Sequence, residues 1–432
     1  MSTATLGRRA RIGSRPQMVI GAAGLAALSA AANMASPLYP VYQQIHGMSD
    51  SLMTLLYATF ALTAMPALLL FGSAADALGH RPVLLAGLVS AFAGTALFAL
   101  DGAGVGGLLL GRVLLGIGLG LGTGAGIALM VEASPVRRPA LGSTLATIAF
   151  VAGTGAGPAM AGIVAEHSAS RTTTPFLVML AVLAAVTVGT ALLRVHRPAV
   201  RQRWRPTWPT VPTSLRPGFA VAAATGFLGW SAVGIFLALV PSIARSALED
   251  PSLALIGLLV GSVLFVSALS QLIAPRFSPR AAQTLGLTGL AIGMVLLLGA
   301  HLPTVPDGSG PVMMAVAAVA TGTGHGLGYW GANQEVDSQT AHAEHAGTSA
   351  ALYLAFYAGA GLPAVAVGIL SAGSSMTSAV LLISLVLVLT TIVFLPVPGM
   401  FRPAAPAISS ERDSTAPADE PHERSAPGPT GP

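Results

Sequence analysis

Two ionisable side chains stand where this chain is otherwise most apolar. Arg112 lies inside the run 103 to 131 and His325 inside the run 310 to 334. A guanidinium facing hydrocarbon costs a few kcal/mol, so Arg112 is expected to meet an acceptor or an aqueous cavity, there to contact a substrate or modulate a proton site. A helix beginning later would instead leave it at the outer interface. His325 carries an imidazole whose ordinary pKa near 6.5 suits a proton carrier, although a hydrogen-bonded core histidine fits the same position. No Asp or Glu stands at mid-depth in any apolar run, which makes Arg112 and His325 the candidates for proton coupling. Glu335, Asp337, His342, Glu344 and His345 follow the second run and read as solvated loop charges.

Uncharged polar and amphipathic residues inside apolar runs form a second group. Asn33, Tyr57, Trp230 and Gln271 belong to it, as do Trp330, Asn333, Tyr353 and Tyr357. Amide, indole and phenol groups need partners in hydrocarbon, so these residues are expected to face inward, as cavity lining or as glue between helices. A cavity so lined suits neutral or amphipathic organic molecules better than sugars.

Other chemistry is excluded. The chain has no cysteine, hence no disulfide and no thiolate. It has no lysine, which rules out a phosphate-cradling P-loop, and neither H-E-x-x-H nor G-x-S-x-G occurs. No cofactor or metal is implied. A membrane enzyme or receptor, the reading from another class, finds no motif to support it.

Composition dictates what must position these residues. Of 432 residues 53% are hydrophobic and only 9% charged, with a mean hydropathy of +0.74. Runs long enough to cross a hydrocarbon layer of about 30 Å as helices recur throughout. They are placed at 17 to 38, 51 to 72, 82 to 100, 103 to 131, 139 to 165 and 174 to 193. A second six fall at 217 to 241, 252 to 274, 282 to 301, 310 to 334, 347 to 371 and 375 to 396. These runs are apolar all round, without the period of two that barrel strands show. The expected fold is therefore an all-α membrane protein of twelve transmembrane helices.

Arginine sets the orientation. It clusters before the first run, in the even-numbered connections and after the last run, while only Arg171 and Arg245 fall on the other side. The positive-inside rule then places both termini and the central connection in the cytoplasm, and the cell's inner (plasma) membrane is the expected location. The net charge of +5 is topology and contact with anionic lipid; basic patches interleaved with aromatics, as nucleic acid would need, are absent. Residues 1 to 16 lack a signal-peptide cleavage pattern, so the first run is expected to remain as helix one. Residues 194 to 216 form a basic linker with Trp204 and Trp208 at headgroup level, and 397 to 432 a Pro-, Ser- and acid-rich tail expected to be disordered.

The chain also repeats itself. Gly116, Gly118, Gly120 and Gly122, then Glu132, Gly142 and Pro158, are answered by Gly322, Gly324, Gly326 and Gly328, then Asp337, Gly347 and Pro363, a shift of 205 or 206 residues. Two pseudo-symmetric six-helix bundles, 17 to 193 and 217 to 396, follow. Such halves in a membrane imply alternating access to a site between them.

Specific motifs now join the pattern. Gly72-Ser-Ala-Ala-Asp76-Ala-Leu-Gly79-His80-Arg81 resembles the major facilitator superfamily signature G-x-x-x-D-R-x-G-R-[RK]. Gly72, Asp76, Gly79 and Arg81 match it, and Ala77 and His80 replace two basic residues. The resemblance implies a gate at the inner face; a solvated turn is the plainer alternative. Arg112-x-x-x-Gly116-x-Gly118 is similar to the family's second signature, and Glu132-Ala-Ser-Pro135-Val-Arg137-Arg138 to its E-x-x-P-x-x-x-R connection, which could join Asp76 and Arg81 in an ion network. Gly153-Thr-Gly-Ala-Gly157-Pro158-Ala-Met-Ala-Gly162 resembles the motif of the proton-coupled drug antiporters, with Ala161 at one glycine. Small residues and Pro158 would let this helix approach and slide on a partner from the other half.

The resemblance covers about 17 to 396. It implies a monomeric, proton-coupled exporter of hydrophobic or amphipathic molecules, whose partners are a small-molecule substrate, protons and the lipid bilayer. A proton-coupled importer of a small organic solute on the same fold is the alternative.

Overall fold

The computed structural model describes residues 14–71, 74–100, 103–135, 137–138, 141–193, 209–238, 241, 252–300, 309–340, 345–400 and 431. Among them every long element is a helix, as a bilayer requires, because each helix satisfies its own backbone hydrogen bonds.

In the first half these are α1 (Ser14–Asn33), the short α2 (Tyr39–His46), α3 (Asp50–Phe71), the short α4 (Ala74–Leu78), α5 (His80–Ala99), α6 (Gly104–Glu132), α7 (Leu141–Glu166) and α8 (Thr174–Leu192). In the second half follow α9 (Arg216–Ala238), α10 (Leu253–Ile273), α11 (Pro279–Gly299), α12 (Gly310–Gln339), α13 (His345–Ser371), α14 (Met376–Phe394) and the short α15 (Val397–Met400). Eleven of the described helices are long and apolar enough to span a membrane. The twelfth, α12, is 30 residues long but carries His325, Asn333, Glu335 and Asp337, which lower its hydropathy.

Two boundaries depart from expectation. The first span does not run straight to residue 38: α1 stops at Asn33, a 3-10 turn at Ser36–Leu38 follows, and α2 begins at Tyr39. Pro37 and Pro40 lack the N–H that would continue one helix. α12 runs five residues past the expected end, because Glu335 is not a loop charge. Only 5% exposed, it accepts hydrogen bonds from Arg280 Nε and Nη2 at 3.1 and 3.0 Å and from Gln339 Nε2 at 2.6 Å. The linker up to Trp208, His342, Glu344 and residues 401–430 of the tail lie outside the described residues.

The glycine run shows the repeat at the level of single contacts. A Cβ on Gly116 or Gly120 would strike α3, one on Gly118 would come within 2.7 Å of Gly87 O on α5, and one on Gly122 would strike Leu28 of α1. A Cβ on Gly322 or Gly326 would strike α10, one on Gly324 would come within 2.6 Å of Gly286 O on α11, and one on Gly328 would lie 3.2 Å from Thr225 of α9. The two helices thus use glycine on the same faces against corresponding neighbours. Close approach of this kind is what packs helices in lipid, where apolar surface gains nothing from leaving acyl chains.

The two halves meet along α7 against α10 and α3 against α13.

Candidate functional site

A small central cavity of about 20 Å³ lies where the halves face each other. Its first-half wall is built by Asn33, Tyr57, Phe60, Leu119, Phe150 and Thr154. From the second half come Trp230, Tyr329, Tyr353, Phe356 and Tyr357, with Leu237 and Ala360. The rings pack edge to face, Tyr57 on Phe60 at 5.5 Å between centroids and Phe150 on Trp230 at 6.0 Å across the halves. Tyr357 OH also meets Thr123 Oγ1 of the opposite half at 3.3 Å. The cavity has room for an ordered water and for no organic ligand. The helices must separate before anything larger enters.

Five expected cavity residues stand on this wall: Asn33, Tyr57, Trp230, Tyr353 and Tyr357. The other five lie off it. Arg112, fully buried, sits one ring behind the first-half wall. Its guanidinium donates to Ala32 O and to the Tyr39 hydroxyl, and its carbon lies 5.3 to 5.7 Å from the rings of Tyr39, Phe60 and Phe98. No carboxylate pairs with it among the described residues. Carbonyl, phenol and ring faces instead carry a charge that hydrocarbon would reject.

His325 sits one ring behind the second-half wall. Its Nδ1 lies 2.7 Å from Ser267 Oγ, its ring stacks on Tyr329 at 5.5 Å and meets Trp230 edge to face at 4.8 Å, and its Nε2 has no hydrogen-bond partner among the described residues. Gln271 is buried between helices, with Nε2 donating to Ser267 O at 3.4 Å. Asn333 turns back on its own helix, donating to Tyr329 O at 2.8 Å. Trp330 packs with Ala274, Ala282 and Leu327 in a separate cluster. Phe60, Phe150, Tyr329 and Phe356 also line the wall, although nothing in the sequence singled them out.

Hydrogen bonds join the halves at mid-depth and at the end opposite the N-terminus. Besides Tyr357 to Thr123 at mid-depth, Ser36 donates to Leu237 O, Ser51 donates to Gly368 O at 2.6 Å, and Leu253 N donates to Glu166 Oε2 at 2.8 Å. These three clasp the distal end, where α1 finishes and α10 begins.

At the proximal end the two ion pairs among the described residues each lie within one half. Glu132 pairs with His80 Nε2 at 3.0 Å. Arg81 donates to Thr190 O at 3.0 Å and to Ala191 O, so it caps the end of α8, where unpaired carbonyls favour a cation. Arg280 with Glu335 is the second-half counterpart of His80 with Glu132, each joining the start of one helix to the end of the next. Gly79, at φ 92, gives the left-handed turn that opens α5. Arg137 is exposed. Gly72 lies outside the described residues, as does the side chain of Asp76.

The Gly-Pro segment of α7 divides its contacts. A Cβ on Gly153 or Gly157 would strike α1 of the same half, whereas one on Gly162 would strike Leu253 O and lie 3.1 Å from Gly257 Cα on α10. Only part of this motif therefore serves the seam between halves, and Gly155, 2.8 Å from Gly261 O by the same measure, joins it there.

A family model described as Major Facilitator Superfamily matches residues 21–365. No curated protein matches the chain.

Proposed function

We propose that this chain, which belongs to the Major Facilitator Superfamily and is a membrane transporter of that family, works by alternating access and exports hydrophobic or amphipathic organic molecules in exchange for protons. The observation that carries the reading is the aromatic cavity, built from both halves and clasped at the distal end by hydrogen bonds between them. Releasing the distal clasp while closing the proximal side would present the same wall to the other compartment.

Export is favoured by the likeness of 153–162 to the drug-antiporter motif, and an apolar wall suits drug-like molecules or secondary metabolites. With no described acid on the wall, His325 is the group assigned to proton coupling, since rearranging Trp230 and Tyr329 on substrate entry would alter the contacts of its ring. Arg112 supports the opposite wall. Arginine distribution supports cytoplasmic termini for a chain that acts as a monomer in the plasma membrane.

Flux in proteoliposomes under an imposed pH gradient tests this reading. Efflux driven by protons moving the other way is expected; accumulation together with protons would make the chain an importer.

A further inference from the structure

Resting on the cavity reading above, we propose that the site selects aromatic anions, an aromatic carboxylate being the simplest, over their neutral and cationic counterparts. Two orphan donors stand on its wall. The Tyr57 hydroxyl and the Trp230 indole N–H are buried, 1% and 7% exposed by residue, and neither has a partner among the described residues. An indole N–H can only donate, and a buried donor without a partner is costly, so both call for an acceptor oxygen. They are neighbours across the seam: the Tyr57 oxygen would lie 3.5 Å from a Cβ on Gly234, one helical turn from Trp230. Asn33 Oδ1 is the orphan acceptor of the same wall and suits a hydroxyl on such a ligand.

The sign of the charge follows from what lies behind and what is absent. Arg112 places a cation one ring from the cavity, already against the face of Phe60, a wall ring. No Asp or Glu lines the cavity among the described residues. Ring faces alone attract cations, but a fixed unit charge about 10 Å away at an effective dielectric near 20 separates anion from cation by roughly a hundred-fold, which outweighs one ring face. Aromatic rings remain to stack on the body of the ligand.

Isothermal titration of the purified full-length protein with 2-naphthoate, 2-naphthamide and trimethyl(2-naphthylmethyl)ammonium tests the assignment. Naphthoate should bind at least about ten-fold more tightly than the ammonium probe, with the amide between. Equal binding, or binding that favours the ammonium, overturns the charge assignment while leaving the cavity as the site. No binding by any probe removes the cavity reading as well. Arg112→Gln should reduce the preference several-fold; because Arg112 is fully buried, Tyr57→Phe supplies a nearly isosteric second variant, expected to weaken naphthoate about five-fold and leave the ammonium probe unchanged. A preference unaltered in both variants overturns the proposal.

Discussion

The carboxylate of Glu166, the last residue of α7, accepts the backbone N–H of Leu253, the first residue of α10, at 2.8 Å. A carboxylate at a helix N-terminus is stabilised by the unpaired amides and the dipole there, and here it joins one half of the molecule to the other. Removing it should loosen the distal clasp by about 1 kcal/mol, roughly five-fold in the population open at that end. The chain has no cysteine, so Leu237→Cys alone reports access to the cavity. Glu166→Ala should speed thiol labelling at that position several-fold, and an unchanged rate would remove Glu166 from the clasp.

The two proximal ion pairs should differ sharply in worth. Arg280 and Glu335 have side chains 16% and 7% exposed, whereas His80 and Glu132 are 17% and 49% exposed. Arg280→Ala leaves a buried carboxylate whose remaining partner is Gln339, a loss of about 3 kcal/mol, while Glu132→Ala should cost under about 1 kcal/mol. Melting temperatures of the purified variants check the order, and equal losses would contradict it.

Glycines at the seam and glycines facing outward should respond oppositely to one methyl group. A Cβ on Gly155 would lie 2.8 Å from Gly261 O, so Gly155→Ala must push α7 off α10, a cost of about 1 to 3 kcal/mol. Gly124 has nothing within 4 Å of such a Cβ, so Gly124→Ala should stabilise α6 by up to about 1 kcal/mol. Thermal unfolding of the pair decides the matter; the same response from both would mean that the seam is looser than described.

If His325 couples protons, His325→Gln should abolish the dependence of flux on the pH gradient while leaving substrate counterflow intact. Ser267→Ala, which removes the partner of Nδ1, should shift the pH profile without abolishing it. A profile unaltered in both variants would leave His325 as a packing residue.

Helices and their repetition were legible because length, hydropathy and the glycine register are properties of sequence alone. Which face turns inward was not, since helices apolar all round carry no moment to read. Tyr329 and Trp330 show the consequence. Adjacent on α12 and about 100° apart around its axis, one lines the cavity and the other packs against Ala274 and Ala282. Phe60 and Phe150 were hidden for the same reason, because nothing local separates a cavity phenylalanine from a lipid-facing one. Glu335 was misplaced because its partner, Arg280, lies 55 residues away and charge alone reads as solvent exposure.

Alternating access requires α3 and α13 to part, and a bond across them tests this most directly. The methyl of Ala61 would lie 3.2 Å from a Cβ on Gly361, near disulfide range, and no native cysteine competes. In proteoliposomes holding the Ala61→Cys, Gly361→Cys double variant, pH-gradient-driven flux should be lost on oxidation and return on reduction. Undiminished flux through fully cross-linked protein would contradict the account.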